Sequence, residues 1–516
     1  MIRVIGDNLV VQTKNPGQLR VVFPHLKEAI VQGQHFVSLP FTLESARVLN
    51  NLGYKAPSPI RHQYAFKGRF KPMAHQIHTA EFLTLNQRAF CLNGMGSAKT
   101  LASLWAVDYL QQTKKIRKVL VIAPLSTLEP TWENEIFCNF PFKRYAILHG
   151  SRTKRKELLA TEQDIYVINH DGVEILQDEL MARTDIDLFI IDESSLLRNQ
   201  CTKRWKVMNT LLNKCGYPRS AWGLTGAPTP NEPTDAFAQS KLICPENYHG
   251  HFTTFKAETM YQVTQFKWVP RKGAEEAANR ILKPSIRYAL ADCVDLPETT
   301  YSDRYAALSP EQASHYRHFI NHAMTEIAGK TVTAVNAGVL LSKILQAATG
   351  CVYDSNGEVL KLDYAPRLSV IKELIEECEQ KVIVFIPFTG ALNTIAGELR
   401  KHWSVEIIDG GTSSTARNRI FADFQRTPSP RILVANAGAM SHGLTLTEAS
   451  MIIWYAPTTS NDTYNQANAR IVRPGQKHKT HIIHVYATPE ERRIYAGLKE
   501  KSRLQDIVLD LARKNA

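Results

Sequence analysis

The chemistry most typical of a phosphate-binding loop is found in one short segment, Gly94-Met95-Gly96-Ser97-Ala98-Lys99-Thr100. An apolar run precedes the segment and an apolar helical repeat follows it, which indicates strand, loop and helix in that order. Backbone N–H groups of such a loop can surround phosphate oxygens, Lys99 adds a positive charge, and the Thr100 hydroxyl can ligate Mg2+. The strict pattern G-x-x-x-x-G-K-[ST] would place glycine where this chain has Asn93 and Ala98. Taken alone, the segment could also be a glycine-rich loop that merely precedes a helix.

Two adjacent carboxylates, Asp192 and Glu193, directly follow the apolar run Leu188–Ile191. Carboxylates at the end of a buried strand are unfavourable unless a cation or hydrogen-bond donors meet them. We expect Asp192 to hold Mg2+, partly through water, and Glu193 to polarise an attacking water molecule. An ordinary Asp-Glu helix cap is the alternative interpretation.

Two further strand-like runs end in loops that carry hydroxyl groups. The first loop contains Ser126, and the second contains Thr225 and Gly226. Hydroxyl and backbone N–H groups in such loops can bind a nucleic-acid backbone without reading its bases. Each loop could also be a plain turn between a strand and a helix.

These loops must be positioned by the elements around them, and the apolar pattern predicts α/β architecture in both halves of the chain. Strand-like runs alternate with helical patterns, which predicts mostly parallel sheets with helices on both faces and functional residues at the carboxyl ends of the strands. The second half has no phosphate-binding loop, so we interpret it as a duplicated fold that completes the first site. The predicted strands are Ala89–Leu92, Val119–Ala123, Ile165–Ile168, Leu188–Ile191 and Ala221–Leu224, followed by Val382–Phe385, Val405–Ile408, Ile432–Ala435, Met451–Trp454 and His481–Val485.

Composition indicates a folded protein that binds a polyanion. The chain has 516 residues, of which 44% are hydrophobic and 22% charged, and it carries a formal net charge of +13. Such a charge favours partners whose phosphates it neutralises, although it could serve solubility alone. Eight scattered cysteines without a C-x-x-C pair favour a reducing, cytoplasmic location, and the sequence suggests neither a secretion signal nor a membrane span.

The first 60 residues predict a small α+β module with a basic surface. Residues 1–70 contain nine Lys or Arg against three Asp or Glu. We expect strands at Arg20–Phe23 and Phe36–Pro40 and helices at His25–Val31 and Leu43–Leu52, the last with Thr42 as its N-cap. The charge favours a nucleic-acid-facing accessory domain over a merely solvated surface.

Several motifs in a fixed order resemble those of the Swi/Snf-type ATPases of helicase superfamily two. The resemblance covers roughly residues 70–490 and implies a DNA-stimulated ATPase that translocates on duplex DNA, with two RecA-like lobes that hold ATP between them. The motifs are Gly96–Thr100, Pro124-Leu125-Ser126, Asp192-Glu193-Ser194-Ser195, Leu224-Thr225-Gly226-Ala227-Pro228 and the run from Gln466 to Gln476.

The resemblance also suggests what the second lobe contributes. Arg470 and Arg473 would lie on one face if helical, and Pro474 should end that helix. By resemblance these arginines reach the γ-phosphate of ATP, where a guanidinium group stabilises the charge of the transition state. A structural ion-pairing role is the alternative. Gly443 and Thr445 resemble the family motif that contacts both DNA and nucleotide.

Comparison with the family pattern also gives an expectation for each of three single residues. Gln76 matches the glutamine that reads adenine in this superfamily, with a surface glutamine as the alternative. Tyr288 stands where the family usually has a second arginine. Ala98 replaces a glycine and would cost about 1 kcal/mol or more if its backbone must be left-handed, which would allow a slow ATPase.

We predict an α/β chain of two tandem RecA-like lobes, a helical insertion that is basic at Lys267–Lys272, and the N-terminal module. Its expected function is ATP- and Mg2+-dependent movement on, or remodelling of, duplex, forked or branched DNA by a monomer. The module resembles, more loosely, the accessory domain of annealing or fork-remodelling helicases. An RNA-dependent helicase and an ATP-binding clamp with little turnover are the alternatives. The predicted limits are 1–60 for the module, 61–245 and 346–500 for the lobes, 246–345 for the protrusion and linker, and 501–516 for a C-terminal helix.

Overall fold

The chain forms two compact units, Met1–Cys293 and Val294–Ala516. The structure, a computed structural model, describes residues 2–69, 71–264, 267–290, 293, 296–318, 334–353, 358–440 and 445–500. The predicted C-terminal helix at 501–516 lies outside these residues, and the predicted domain limits remain predictions. Every helix within the described ranges is too short or too polar to cross a membrane.

The N-terminal module is a four-stranded antiparallel sheet with strand order β1-β2-β4-β3 and two helices on one face. Alternating apolar residues of the strands and helices form a core of its own, which includes Leu9, Val37 and Leu49. The N-cap prediction for Thr42 is confirmed, because its side chain accepts a hydrogen bond from the Ser45 amide. The elements are β1 Ile2–Ile5, β2 Asn8–Gln12, α1 Pro16–Val22, β3 Lys27–Val31, β4 Gln34–Pro40 and α2 Leu43–Asn51.

Two expectations for the module are wrong: the predicted strand at 20–23 lies in a helix, and the predicted helix at 25–31 is a strand. The run at 20–23 ends α1, which begins with Pro16 at a position where proline suits a helix. The stretch at 25–31 forms β3, because Gln32 and Gly33 both have positive φ and make a tight hairpin turn to β4. All five side chains of β3 are exposed, so no apolar alternation marks this strand in the sequence.

The first unit is otherwise built on a seven-stranded parallel sheet with strand order β13-β5-β10-β9-β6-β8-β7. The five predicted strands are confirmed, and apolar side chains from alternate positions form one core on each face. Two edge strands escaped prediction because they are only three and two residues long. The strands are β5 Arg88–Cys91, β6 Lys118–Ala123, β7 Tyr145–Ile147, β8 Ile165–Asn169, β9 Ile186–Asp192, β10 Ser220–Leu224 and β13 Ser285–Ile286.

Helices and short turns connect these strands. A π-helical turn, Leu128–Glu133, precedes α6, and 3-10 turns lie at Leu125–Thr127, Ser194–Leu197 and Pro245–Asn247. The helices are α3 Ile60–Gln63, α4 Ala74–Leu85, α5 Lys99–Gln112, α6 Asn134–Asn139, α7 Arg152–Ala160, α8 Gly172–Ile175, α9 Gln177–Ala182, α10 Lys203–Asn213 and α11 Asp235–Ile243.

The insertion after α11 is only partly helical. It contains α12 Phe252–Thr259, an antiparallel hairpin of β11 Met260–Thr264 and β12 Lys267–Pro270, and α13 Ala274–Ile281. The prediction of a helical insertion is therefore wrong for β11 and β12, and the basic stretch at 267–272 begins in β12. Trp268 and Val269 favour extended structure, and Pro270 cannot lie inside a helix.

The second unit contains a six-stranded parallel sheet with strand order β14-β21-β20-β17-β19-β18. Its five predicted strands are confirmed, and apolar cores again lie on both faces. The edge strand β14 was not predicted, because Ser302, Asp303 and Arg304 interrupt any apolar run. The strands are β14 Thr299–Tyr305, β17 Lys381–Phe385, β18 Val405–Ile408, β19 Ile432–Ala435, β20 Ala449–Trp454 and β21 Thr480–Tyr486, with a separate pair of β15 Cys351–Tyr353 and β16 Val359–Lys361.

The helices of the second unit cover both faces of its sheet. Residues 310–318 are helical, and a 3-10 turn lies at Ala437–Met440. The other helices are α14 Ala334–Thr349, α15 Ala365–Glu376, α16 Thr389–Leu399, α17 Ser414–Arg426, α18 Asn461–Asn468 and α19 Pro489–Glu500. The fold class predicted from the sequence, two parallel α/β lobes with a small N-terminal module, is confirmed.

Candidate nucleotide-binding site

Three neighbouring strands of the first unit bring the predicted loops together. Leu224 at the end of β10 is in register with Cys91 of β5 on one side and with Asp192 of β9 on the other. The loops that follow these strands therefore lie side by side at one edge of the sheet. The phosphate-binding loop and the carboxylates are two strand spacings apart, about 10 Å, with Thr225 between them.

The phosphate-binding loop turns sharply through two residues with positive φ. Gly96 has φ 77° and Ala98 has φ 53° and ψ 45°, directly before α5 begins at Lys99. Alanine in a left-handed conformation costs about 1–2 kcal/mol relative to a conformation with negative φ. Ala98 therefore has the left-handed backbone that makes alanine less favourable than glycine at this position.

Inside this loop, polar groups point at the loop itself. The Lys99 ammonium donates hydrogen bonds to the carbonyl oxygens of Asn93 (3.0 Å) and Gly94 (3.1 Å). The Ser97 hydroxyl is buried and has no hydrogen-bond partner within the described ranges. A buried hydroxyl beside a lysine and a helix N-terminus suits an anion, since an unmade hydrogen bond in such a place costs about 1–3 kcal/mol.

A strap formed by residues 284–290 runs beside this loop. The Gly94 amide donates to the Tyr288 carbonyl oxygen (2.8 Å), and the Tyr288 amide donates to Asn93 Oδ1 (3.0 Å). Asn93 Nδ2 in turn donates to Thr79 Oγ1 of α4 (2.8 Å). A Cβ atom on Gly94 would lie 3.2 Å from the Leu290 amide nitrogen, so glycine permits this close approach. Asn93, which departs from the strict pattern, therefore ties the loop to both neighbours.

Asp192 is held by donors that lie far away in the sequence. Its Oδ2 accepts the indole N–H of the fully buried Trp132 (2.9 Å), and its Oδ1 accepts the Glu193 amide (3.1 Å). Burial raises the pKa of Asp192, while the Trp132 hydrogen bond and the Lys99 charge oppose that rise. His170 Nε2 lies 2.9 Å from the Asp192 carbonyl oxygen. The carboxylate is thus fixed in place within a poorly solvated site.

Glu193 has an unusual backbone and contacts the neighbouring loop. Its φ is 50°, which is uncommon for a residue other than glycine and is typical of strained functional positions. Thr225 Oγ1 donates to its carboxylate (3.4 Å) and also accepts the Ala227 amide (3.2 Å). A Cβ atom on Gly226 would lie 3.1 Å from the amide nitrogen of Met95. The Thr225 loop therefore packs against both the phosphate-binding loop and Glu193.

Gln76 is not on the surface, so that alternative is wrong. It is 3% exposed and its Oε1 accepts the Met73 amide (2.9 Å), which caps the start of α4. The preceding residue, His75, has Nε2 3.1 Å from the Ser97 carbonyl oxygen. The start of α4 thus contacts the phosphate-binding loop. Ser126 lies in the 3-10 turn after β6, next to β9 in the sheet.

The two predicted arginines of the second unit follow α18. This helix ends at Asn468, so the prediction that Arg470 and Arg473 share a helix is wrong. Turns follow the helix, in which the Arg470 amide bonds to the carbonyl of residue 467. Arg470 is 6% exposed, and burial lowers the pKa of Arg473 to about 10. Thr445 is exposed, and Gly443 lies outside the described residues.

Several residues of the site were missed in the sequence. Trp132 has no local signal, because it reaches Asp192 from 60 residues away. His170 directly follows β8, so the rule that functional residues follow parallel strands could have found it. Tyr288 was noticed as a departure from the family, but its pairing with the phosphate-binding loop depends on β13.

Two family models match the chain. A model described as the SNF2-related domain matches residues 75–353, more than half of the chain. A model described as the helicase conserved C-terminal domain matches residues 366–475. Together the two matches include every predicted site residue, from Gln76 to Arg473.

Individual relatives are distant. The p41 protein of Acyrthosiphon pisum secondary endosymbiont phage 1 is 20% identical over 86% of this chain and 99% of its own length. The ATP-dependent DNA helicase DDM1 of Arabidopsis thaliana is 23% identical over 80% of this chain, which spans 58% of that protein. A solved structure, the Sulfolobus solfataricus SWI2/SNF2 ATPase core in complex with dsDNA, is 22% identical with a TM-score of 0.41, covering 84% of this chain and 92% of that one. With the SNF2-related match across more than half of its residues, the chain belongs to the SNF2-related ATPases of helicase superfamily two.

Proposed function

We propose that this ATPase couples ATP hydrolysis to movement on, or remodelling of, duplex or branched DNA. The observation that carries the proposal is the register of three adjacent strands, in which Leu224 lies between Cys91 and Asp192, so that the loops following these strands are neighbours. A loop that contacts both the phosphate-binding loop and a catalytic carboxylate can report the state of the nucleotide to a bound polymer. The name of the Arabidopsis relative, an ATP-dependent DNA helicase, supports DNA as that polymer.

The loop from Gly94 to Thr100 would hold the phosphates of ATP. Lys99 would exchange its bonds to two loop carbonyl oxygens for bonds to phosphate oxygens, and the buried Ser97 hydroxyl would gain a partner. Both changes favour a bound anion over the free loop. Gln76 would contact the base by resemblance to the family, and its neighbour His75 lies beside this loop, with Nε2 3.1 Å from the Ser97 carbonyl oxygen.

The oxygen ligands that Mg2+ prefers are present in the Thr100 hydroxyl and the Asp192 carboxylate. Burial raises the pKa of Asp192, and a nearby cation would favour its charged form. No group of three or more His, Cys, Asp or Glu side chains in the described ranges could hold a metal by itself. We therefore expect Mg2+ to bind with the nucleotide, where it neutralises phosphate charge.

Three side chains would act in hydrolysis. Glu193, oriented by its left-handed backbone and by Thr225, would polarise the attacking water. Arg470 and Arg473 would supply positive charge as the γ-phosphate leaves. An arginine whose pKa is lowered by burial still remains charged at neutral pH.

Contacts with DNA would use backbone phosphates. The net charge of +13 favours a polyanion, and Ser126, Gly226 and Thr445 offer hydroxyl or backbone N–H groups. Such contacts do not depend on base sequence, which suits a motor that moves along DNA. Thr225 is fully buried, with its hydroxyl bonded to Glu193, so it would support its loop without touching DNA itself. Repair, recombination or replication of DNA would be the setting for this activity.

The proposal is tested by ATP turnover measured without polymer and with single-stranded DNA, blunt duplex, forked DNA and RNA. We expect strong stimulation by duplex or forked DNA, and loss of turnover in Glu193→Gln with nucleotide binding retained. Glu157→Gln, an exposed carboxylate of α7, is the matched control and should leave turnover unchanged. Stimulation by RNA alone would favour an RNA-dependent helicase, and nucleotide binding without turnover would favour a clamp. Turnover that ignores every polymer would contradict the proposed function.

A further inference from the structure

The hairpin of β11 and β12 stands apart from both large sheets. It is a two-stranded sheet of its own, in which Tyr261 is directly opposite Val269. Tyr261 is 43% exposed and Val263, at the irregular position of β11, is 50% exposed. An isolated hairpin is only marginally stable in water, so an aromatic and aliphatic face left in solvent needs another explanation than folding.

The base of the hairpin is anchored firmly. Phe255, Thr259 and Met260, at the junction of α12 and β11, are fully buried. The Lys256 ammonium lies 4.0 Å from the centre of the Trp268 ring, which fixes β12 to α12 by a cation–π contact. The hairpin therefore has a rigid base and an exposed outer part.

Hydrogen bonds connect this base to the nucleotide-binding site. Gln239 of α11 donates to the Pro228 carbonyl oxygen (2.6 Å) and accepts the Ser194 hydroxyl (3.0 Å), so it joins the loops that follow β10 and β9. The next residue, Ser240, donates to the Ile281 carbonyl oxygen at the end of α13 (2.8 Å). The chain leaving α13 then pairs with β5 as β13. Both connections run through α13, so this helix links the hairpin to the candidate site.

The charge around the hairpin suits a nucleic acid. Residues 251–273 contain four Lys or Arg against one Glu. That carboxylate, Glu258, accepts the Tyr248 hydroxyl (3.0 Å). Arg271 and Lys272, at the end of β12, are exposed. The surface therefore combines an exposed aromatic ring with cations, which is how proteins bind bases and phosphates of single strands.

We propose that the outer face of this hairpin binds unpaired nucleotides of DNA, with a base stacked on Tyr261 and phosphates near Arg271 and Lys272. The inference deepens the proposed function and rests on it. Within a duplex the faces of the bases are covered by their neighbours, so an exposed ring gains stacking only from unpaired bases. The hairpin would then make the motor prefer a junction between duplex and single strand over an uninterrupted duplex.

The test compares Tyr261→Ala with the wild-type full-length chain on a blunt duplex and on the same duplex with two unpaired arms. We expect the concentration of forked DNA that half-activates ATP turnover to rise about fivefold or more, because one stacked base contributes about 1–3 kcal/mol. Activation by the blunt duplex should stay unchanged. Tyr261→Phe keeps the ring and should restore the wild-type value.

Phe142→Ala is the matched control. This ring is 61% exposed and contacts Phe140 in the core on the opposite face of the sheet, whereas Phe255 at the hairpin base lies in the other core. The control should behave as wild type with both DNAs. Equal loss on forked and blunt DNA in Tyr261→Ala, or no loss on either, would overturn the proposal.

Failure of the proposed function would be recognised separately. If no DNA stimulates turnover in the wild type, the proposed motor function is wrong. Direct binding of a fluorescent single-stranded oligonucleotide would still test whether the hairpin binds unpaired DNA. In that assay Tyr261→Ala should bind single-stranded DNA about fivefold or more weakly, and Lys272→Glu should lower the dependence of binding on salt. Unchanged binding in Tyr261→Ala would overturn the inference.

Discussion

Two sets of polar groups, one in each unit, differ in what they bond to. In the first unit, at the carboxyl ends of strands, Lys99 bonds to its own loop and the Ser97 hydroxyl lacks a partner among the described residues. In the second unit, two charged side chains in the core pair with each other. Arg367 and Glu491 are 1% and 0% exposed and make two hydrogen bonds, of 2.7 and 2.8 Å.

A second internal network strengthens this contrast. His484 of β21 is fully buried, with Nδ1 2.9 Å from Asp303 Oδ1 of β14 and Nε2 2.8 Å from the Tyr464 hydroxyl of α18. It connects an edge strand to the helix that precedes Arg470. The same kinds of polar group are therefore available to a ligand in one unit and hold neighbouring elements together in the other. The four predictions below test that distinction, from the largest effect to the smallest.

Removing an arginine of the second unit should affect chemistry far more than nucleotide binding. We expect Arg473→Ala to lower ATP turnover about 1000-fold or more, since an arginine at a transferring phosphate contributes about 10^3–10^5 in rate. Single-turnover hydrolysis and binding of a fluorescent nucleotide separate the two effects. Arg400→Ala, which changes an exposed arginine of the same unit, is the control. A Kd that rises as much as turnover falls would contradict the assigned role.

Breaking the buried ion pair should destabilise the second unit strongly. We expect Arg367→Met to lower the free energy of unfolding by about 3–5 kcal/mol, because Glu491 is left buried without its cation. The double variant Arg367→Met with Glu491→Met should recover much of this loss. Urea unfolding measures both.

The matched control is Lys401→Met, which breaks an exposed pair with Glu398 and should cost about 0.5 kcal/mol or less. If the double variant is no more stable than Arg367→Met, packing of the arginine and not its charge is what stabilises the unit.

Removing one hydrogen bond of His484 should lower the free energy of unfolding by an intermediate amount. Tyr464→Phe removes the hydroxyl next to His484 Nε2, and we expect a loss of about 1–3 kcal/mol because a buried polar atom loses its partner. The measurement is urea unfolding, with Tyr305→Phe on the exposed side of β14 as the control. Equal stability of the two variants would show that Tyr464 contributes only its ring.

Ala98→Gly should change the free energy of unfolding least among these variants, and it should raise that free energy where the others lower it. Relief of the left-handed backbone gives about 1–2 kcal/mol, and the greater freedom of unfolded glycine removes about 0.4–1 kcal/mol. We expect a net gain of about 1 kcal/mol or less in the free energy of unfolding. Ala102→Gly, inside α5, should instead destabilise the protein by about 1 kcal/mol. A loss in Ala98→Gly would mean that the loop does not need a left-handed residue there.

Much of the fold could be read from local apolar patterns. The ten predicted strands are runs of four or five mostly buried residues, so burial leaves apolar side chains in each of them. Three of the elements that escaped prediction lack such a mark: exposed β3, the polar edge strand β14 and the two-residue β13. Each is defined by its hydrogen bonds to a neighbouring strand, which local composition does not record.

The candidate site divides in the same way. The types of residue at the strand ends predicted the phosphate-binding loop and the carboxylates, because few side chains can carry that chemistry. The arginines were expected on a helix, but α18 ends at Asn468 before reaching them. Gln76 was expected to contact adenine or to lie on the surface. Its Oε1 instead caps the start of α4, a role that its sequence neighbours did not indicate.

Residue order alone determined two α/β lobes, a phosphate-binding loop after the first strand of one lobe, and a basic chain suited to a polyanion. Folding decided that Trp132 holds Asp192, that Tyr288 pairs with the phosphate-binding loop, and that Ala98 is left-handed. The reason is physical. Apolar periodicity is written in neighbouring residues, whereas the partners of buried polar groups come from segments that meet only when the chain is compact.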